Sequence, residues 1–252
     1  MSDHFSYRDY VEDERFLEEY NAYQRRYAGD IRESDKALIE MVQALAQQMP
    51  PDRRPLRLLD IGCSTGNLLL HLSRQVPGLA LTGGDLALSS LEECRRNPEL
   101  AGIAFEELNL LDLPRSQPWD VVVVNAVLYM LDDDQFEAAA RSLHGALRPG
   151  GSLLAFDFAH AFEQSLSILE RSRTHPEGLA LHFRPMTWIQ RCLSAAGFAE
   201  VTFRPFAMPF DLARPDDPAD IGTYTLRRED GERLSFRGTL FQPWCHLKAQ
   251  RA

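Results

Sequence analysis

The sequence lacks the features that define several large classes of protein. None of its 252 residues lies in a run approaching the roughly 18 consecutive apolar residues of a membrane-spanning helix, so no membrane partner is expected. Residues 1–16, MSDHFSYRDYVEDERF, are polar and acidic and do not resemble a secretion signal. The four cysteines form no CxxC pair, which disfavours a zinc site and a disulfide framework. These absences predict a cytoplasmic protein with reduced thiols and no metal.

Positive charge is also scarce. Lysine and arginine number 27 against 37 aspartates and glutamates, which gives a formal net charge of −10. Basic residues cluster only as pairs, such as Arg25-Arg26 and Arg95-Arg96. An acidic surface repels a polyphosphate backbone, so nucleic acid is disfavoured as a partner and a small molecule is favoured.

Short apolar runs alternate with helical patterns from residue 57 to residue 206. The run WDVVVVNAV carries four valines with no polar alternation, as expected for a strand covered by helices on both faces. Repeated alternation of this kind predicts an α/β fold with a doubly wound, mostly parallel sheet and helices on both of its faces. A last strand is expected in TLFQPWCHLKAQ, which brings the sheet to seven strands.

The two flanks of this region have other patterns. Residues 14–48 show helical periodicity that Gly29-Asp30 interrupts, which predicts two helices. Residues 223–238 contain two alternating segments around Asp230-Gly231 and predict a β-hairpin. The hairpin is a candidate roof for a substrate pocket, or a candidate surface for a homodimer.

The stretch LLDIGCSTGN (58–67) places a glycine loop directly after an apolar strand. Glycine allows close approach of the backbone to a ligand, and the helix that follows presents free N–H groups. The loop fits neither GxGxxG nor the phosphate loop that ends in Gly-Lys-Ser/Thr. It matches the letters GxSxG, but Ser64 follows the first strand and no HGGG motif occurs, so a hydrolase is disfavoured.

The run LLDIGCSTGNLLLHL resembles the first motif of class I S-adenosylmethionine-dependent methyltransferases, VLDxGCGTGxxxxxL, with Ser64 where the family more often has glycine. LTGGDLALSS, FEELNLLDLP, WDVVVVNAVLYML and LRPGGSLLAFDF resemble later segments of the family in the expected order. The resemblance covers residues 56–206 and implies a Rossmann-like sheet that binds S-adenosylmethionine. It also implies three parts: an N-terminal helical lid (1–50), the cofactor-binding core (51–206), and an extension with the hairpin and the last core strand (207–252).

The resemblance assigns individual residues to the cofactor. Asp85 would accept hydrogen bonds from the ribose hydroxyls, or it would cap the following helix. Asn109 stands where the family has an aspartate that contacts the adenine amino group, or it is a turn former. The implied cofactor-binding residues are Tyr27, Arg32, Asp60, Gly62, Cys63, Ser64, Gly66, Asn67, Asp85, Leu86, Asn109, Leu110, Asn125 and Ala126.

The methyl acceptor is less well defined by the sequence. Tyr20 and Tyr23 lie three residues apart on the lid and would face the acceptor, or they pack on the sheet. His160 and Tyr129 are the candidates for proton removal, and both are also candidate pocket residues with His182 and Arg184. The expected function is O- or N-methylation of a small metabolite, with a sugar or nucleotide-sugar as one candidate acceptor. The alternatives are a non-catalytic S-adenosylmethionine-binding sensor or scaffold, and an RNA methyltransferase.

Overall fold

Seven strands form the central sheet of this computed structural model, in the order β3-β2-β1-β4-β5-β12-β8. The structure describes residues 14–25, 28–50, 53–116, 118–173, 175–176 and 178–252, with the backbone alone at 14–16, 19, 20 and 23. The sheet strands are β1 (Leu56–Ile61), β2 (Leu79–Asp85), β3 (Ala104–Glu107), β4 (Trp119–Asn125), β5 (Leu147–Phe158), β8 (Phe198–Pro205) and β12 (Trp244–Arg251). Among the described strands of this sheet, β12 runs opposite to the other six, between β5 and β8. The predicted seven-stranded, mostly parallel fold is confirmed.

Helices cover both faces of the sheet. They are α1 (Glu14–Arg25), α2 (Glu33–Gln48), α3 (Asn67–Gln75), α4 (Leu88–Arg96), α5 (Asp133–Ala146) and α6 (Met186–Ala196), with short 3₁₀ helices at Pro98–Leu100 and Leu128–Met130. Along β4, Val122 and Val124 join the core under α5 and α6, while Val121 and Val123 join the core under α2, α3 and α4. Alternate residues of a strand point to opposite faces, so a four-valine run is what two covered faces require.

Two small sheets lie outside the central one. The hairpin consists of β9 (Thr223–Arg227) and β10 (Arg233–Arg237), joined by β11 (Leu240–Phe241). A second antiparallel pair, β6 (Leu166–Glu170) with β7 (Leu179–Phe183), lies between β5 and α6 along the chain and is not among the elements that the sequence predicts. Arg237 Nη1 donates to Glu170 Oε2 at 3.2 Å and ties the hairpin to β6.

The strand order fixes where a ligand can enter. The chain winds from β1 outward through β2 and β3, then returns to β4 on the other side of β1. A crevice opens at such a reversal, beyond the carboxyl ends of the strands.

In the described part of the chain, no helix is long and apolar enough to cross a membrane. The same residues contain no group of three or more His, Cys, Asp or Glu able to hold a metal ion.

Candidate cofactor site

A cavity opens to solvent at the carboxyl ends of β1, β2 and β4. Eight of the residues that the sequence assigns to a cofactor line it: Gly62, Ser64, Asp85, Leu86, Asn109, Leu110, Asn125 and Ala126. The remaining lining residues are Leu17, Ile61, Ala87, Ser90, Leu108, Leu111, Val127, Met130 and Leu131. Most of this second group are immediate neighbours of motif residues, whereas Leu17 comes from α1, outside the motifs.

The loop after β1 takes a conformation that favours glycine. Gly62 and Gly66 have φ values of 80° and 75°, in the left-handed region. A Cβ atom at Gly62 would lie 2.6 Å from Val127 Cγ2, closer than two carbon atoms can approach. Ser64 and Ala126 also have positive φ, at 48° and 58°, and both line the cavity. Backbone strain in non-glycine residues is concentrated at functional sites, and here two such residues face each other across one cleft.

Asp85 connects the loop after β1 to the start of α4. Its Oδ2 accepts a hydrogen bond from the Ser64 N–H at 2.8 Å, and its Oδ1 accepts one from the Ala87 N–H at 2.9 Å. Burial raises the pKa of Asp85, and these backbone hydrogen bonds oppose the shift. Each carboxylate oxygen has a second lone pair, so the same group can hold the loop and still accept from a ligand.

Asp60 lies behind the loop and does not line the cavity. It is 2% exposed, and its Oδ1 has no hydrogen-bond partner among the described residues. Burial, reinforced by the charges of Asp35 and Asp85, raises the pKa of Asp60 to about 8. Ser64 Oγ and Thr65 Oγ1 are likewise buried and unpaired within the described chain. Buried polar atoms rarely stay unpaired, and of these three residues Ser64 is the one that lines the cavity, where a polar ligand can reach it.

The far wall of the cavity is a turn between β3 and β4. Asn109 Oδ1 accepts a hydrogen bond from the Leu111 N–H at 2.9 Å, and the Asp112 N–H bonds to the Asn109 carbonyl at 3.0 Å. Asn109 is therefore a turn former that also lines the cavity, so its two expected roles are compatible. Leu110 supplies apolar surface at the same wall.

Helix α1 packs over the cavity from the outside. Leu17 lines the cavity, and Asn21 Nδ2 donates to Ser90 Oγ on α4 at 3.2 Å. Asn67 Nδ2 donates to the Gln24 carbonyl at 2.8 Å, and Arg32 Nη2 donates to Gln24 Oε1 at 2.7 Å. Asn67 and Arg32 thus hold α1 in place and do not line the cavity themselves.

Two loop residues expected at the site are not among the described residues that line the cavity. Cys63 and Gly66 belong to the loop but face the protein interior, where a Cβ at Gly66 would lie 2.9 Å from Leu100 Cδ1. Tyr27 lies outside the described residues, as do the side chains of Tyr20 and Tyr23.

The candidates for proton removal lie beside the cavity rather than in its wall. The Tyr129 ring packs against Phe158 and Trp244, with centroids 4.7 and 5.9 Å apart, while its neighbour Met130 lines the cavity. His160 follows β5, and burial lowers its pKa, which keeps the ring neutral at pH 7. His182 lies on β7, where its Nδ1 is 2.9 Å from Ser167 Oγ, away from the cavity wall.

Arg184 does not have the position expected of a substrate-binding residue. It is 3% exposed, and its guanidinium pairs with Asp133 and donates to the carbonyl oxygens of Leu131 at 2.5 Å and Leu128 at 3.5 Å. Because these protein groups occupy the guanidinium, Arg184 is a structural residue. It fastens the segment Leu128–Met130, which shapes one wall of the cavity.

Comparison with known proteins agrees with this geometry. Residues 58–151 match the family described as "Methyltransferase domain". The chain is 36% identical over 171 residues to trans-aconitate 2-methyltransferase of Rhodopseudomonas palustris, covering 68% of this chain and 60% of that protein. It is 30% identical over 151 residues to tRNA (guanine-N(7)-)-methyltransferase of Rubrobacter xylanophilus, covering 53% of this chain and 67% of that protein.

Solved structures share the fold at lower identity. CalS10, an amino pentose methyltransferase from Micromonospora echinaspora solved with S-adenosylmethionine bound, superposes with a TM-score of 0.54 at 15% identity, covering 92% of this chain and 97% of that one. The chain spans 33% to 67% of the length of the curated relatives compared.

Proposed function

Because the chain belongs to the class I S-adenosylmethionine-dependent methyltransferases, we propose that it transfers a methyl group from this cofactor to a small metabolite. The observation that carries the proposal is the cavity at the ends of β1, β2 and β4, with its glycine-dependent loop and the buried, unpaired Ser64 Oγ. The residues present fit S-adenosylmethionine, since the cavity combines apolar walls with one partly buried carboxylate, Asp85, at the end of β2.

Each part of the cofactor has a chemical match in the cavity. Leu86 and Leu110 offer apolar surface for the adenine ring, and Asp85 offers acceptor lone pairs for the ribose hydroxyls. The cleft between Gly62 and Asn125 would take the amino-acid end. Buried carboxylates favour a cationic ligand, and S-adenosylmethionine carries positive charge on its sulfur and on its ammonium group.

When bound, the cofactor would supply an activated methyl group, whose carbon an electron-rich atom of the acceptor attacks in line while the C–S bond breaks and the neutral thioether S-adenosylhomocysteine leaves. The protein then needs to align the acceptor and exclude water, which is catalysis by proximity and orientation. A hydroxyl acceptor also needs a base. His160 stays the candidate for that role because its lowered pKa leaves it free to accept a proton at pH 7.

The chemistry of the cavity wall favours a neutral or amine-bearing acceptor. Of the described residues that line it, Asp85 is the ionisable one, and none is basic. No described basic residue of the wall could therefore pair with a polyanionic acceptor, and the formal net charge of −10 also disfavours one. Sugars with free hydroxyl or amino groups fit this description.

Titration calorimetry with S-adenosylmethionine tests the cofactor proposal. We expect Asp85→Ala to weaken binding at least about tenfold, the equivalent of one charge-assisted hydrogen bond. Glu107→Gln is the matched control, because Glu107 is the register partner of Asp85 on β3 but is exposed and does not line the cavity. Equal affinity in the wild type and Asp85→Ala would remove Asp85 from the cofactor site.

Transfer of a labelled methyl group tests the acceptor proposal. The wild type is incubated with labelled S-adenosylmethionine and, in separate reactions, an amino sugar panel, a neutral sugar panel, trans-aconitate and bulk tRNA. We expect label in an amine or hydroxyl acceptor. Label in trans-aconitate or tRNA would contradict the proposed acceptor class, and tight cofactor binding with no transfer to any acceptor would favour the sensor or scaffold alternative.

A further inference from the structure

Helix α2 brings a buried carboxylate against the cavity from outside the nucleotide-binding core. Asp35, in the first turn of α2, is 3% exposed. Its Oδ1 accepts a hydrogen bond from Asn125 Nδ2 at 3.0 Å, and Asn125 lines the cavity. The turn is anchored on its other side, because His246 Nε2 lies 3.0 Å from the Ser34 carbonyl oxygen.

The Asp35–Asn125 contact fixes the orientation of the Asn125 amide. An ionised carboxylate only accepts hydrogen bonds, so the amide nitrogen must face Asp35. The Asn125 carbonyl oxygen is then left for the cavity side, where it is an acceptor without a competing contact to Asp35. Without this contact, the amide could present either its oxygen or its nitrogen to a ligand.

A second observation is a buried carboxylate oxygen without a hydrogen-bond partner among the described residues near this point. Asp60 lies one strand away on β1 and has an unpaired, buried Oδ1. The charge of Asp35 contributes to the raised pKa of Asp60, so the two carboxylates are electrostatically coupled. Burial also raises the pKa of Asp35 itself, against the opposing effects of Arg32, Asn125 and His71. The charges of Arg32 and His71 do not offset the burial of Asp35, so a cation bound beside the two carboxylates would stabilise their charged forms.

We propose that Asp35 is a positioning residue for the ammonium group of the cofactor, acting through Asn125 by turning the amide oxygen toward the cavity. The inference rests on the proposed function, since it concerns the amino-acid end of the same ligand. It assigns to α2 a role in recognising the amino-acid end of the ligand, whereas Asp85 binds the nucleoside end.

Three ligands separate this role from a merely structural one. S-adenosylmethionine and S-adenosylhomocysteine both carry the ammonium group, whereas 5′-methylthioadenosine keeps the nucleoside and lacks the amino-acid end. We expect Asp35→Asn to weaken the first two at least about tenfold and to leave the third within about twofold. Glu40→Gln is the matched control, an exposed carboxylate on the same helix, and should change none of the three affinities.

The variant should fold, because replacing a buried carboxylate with a neutral amide of the same shape removes a desolvation penalty. Asn125→Ala provides a second route and should give the same ligand selectivity. The double variant should lose little more than either single one, because the two residues act as a unit. Thermal unfolding of each variant gives the accompanying measure of stability.

The outcomes distinguish the inference from the proposed function. Unchanged affinity for S-adenosylmethionine in Asp35→Asn, or equal weakening of all three ligands, would overturn the positioning role while leaving the cofactor proposal intact. Failure of the wild type to bind any of the three ligands would overturn the proposed function, and the inference with it.

Discussion

Replacing Gly62 with alanine perturbs the cofactor loop at its tightest point. The new Cβ would lie 2.6 Å from Val127 Cγ2, in a residue whose φ is 80°. The left-handed conformation costs about 1–2 kcal/mol for alanine, and overpacking adds about 1–3 kcal/mol. We therefore expect the free energy of unfolding to fall by about 2–5 kcal/mol, less any small gain from a stiffer unfolded chain.

Gly78→Ala separates the two contributions. Gly78 has a φ of 79°, almost the same as Gly62, but a Cβ there would have no atom within 4 Å. In this control the free energy of unfolding should fall only by the cost of the left-handed conformation, about 1–2 kcal/mol, with no change in affinity for S-adenosylmethionine. The difference between the two variants in urea unfolding then measures the contact with Val127.

Binding gives the second measurement for the Gly62 variant. Both Gly62 and Val127 line the cavity, so relief of the clash must move a cavity wall. We expect Gly62→Ala to weaken S-adenosylmethionine at least about tenfold, which corresponds to about 1.4 kcal/mol. The double variant Gly62→Ala/Val127→Ala should regain much of the stability that the single variant loses through the contact with Val127. The reasoning is refuted if Gly62→Ala matches Gly78→Ala in stability and the wild type in affinity.

Two further predictions concern buried charge. Between the ordinary pKa of 3.8 and the folded pKa of about 8, folded Asp60 binds more protons than unfolded Asp60, so wild-type stability should fall as pH rises through that window. Asp60→Asn should remove this slope, so that its free energy of unfolding exceeds that of the wild type by several kcal/mol above pH 8. Urea unfolding from pH 5 to 9 measures this, and the same dependence of the free energy of unfolding on pH in both proteins would contradict the prediction. Arg184→Ala should lower the free energy of unfolding by about 2–4 kcal/mol, because the carbonyl oxygens of Leu128 and Leu131 lose their donor. Arg191→Ala on exposed α6 surface should change it by less than about 0.5 kcal/mol, and equal effects of the two variants would argue against the structural role of Arg184.

The parts of the fold that sequence predicts well are those with local causes. Four consecutive valines require two covered faces, and Asp230-Gly231 between alternating segments marks a tight hairpin turn, where Gly231 has a φ of 86°. The loop at Gly62 and the strand-end carboxylate at Asp85 can likewise be predicted from the sequence, because strand ends converge at one edge of a parallel sheet.

The parts that sequence misses depend on contacts between distant segments. Arg184 stands two residues from His182 and suggests a pocket wall, but its partners lie 51 to 56 residues away along the chain. Asp35 sits in an amphipathic helix with no local sign of a ligand, and its role emerges only from its contact with Asn125, 90 residues distant. Strand β6 has no buried residue, and although buried and partly exposed residues alternate along β7, its partner lies about 13 residues away in sequence, with no tight-turn signal between them.

The central claim is that the crevice beside the glycine loop holds S-adenosylmethionine. A crystal structure of the protein grown with saturating S-adenosylhomocysteine tests it most directly. We predict adenine between Leu86 and Leu110, both ribose hydroxyls at hydrogen-bond distance from Asp85, and the ammonium group beside Asn125. Electron density for the ligand at another site, or an empty crevice at saturation, would contradict the account.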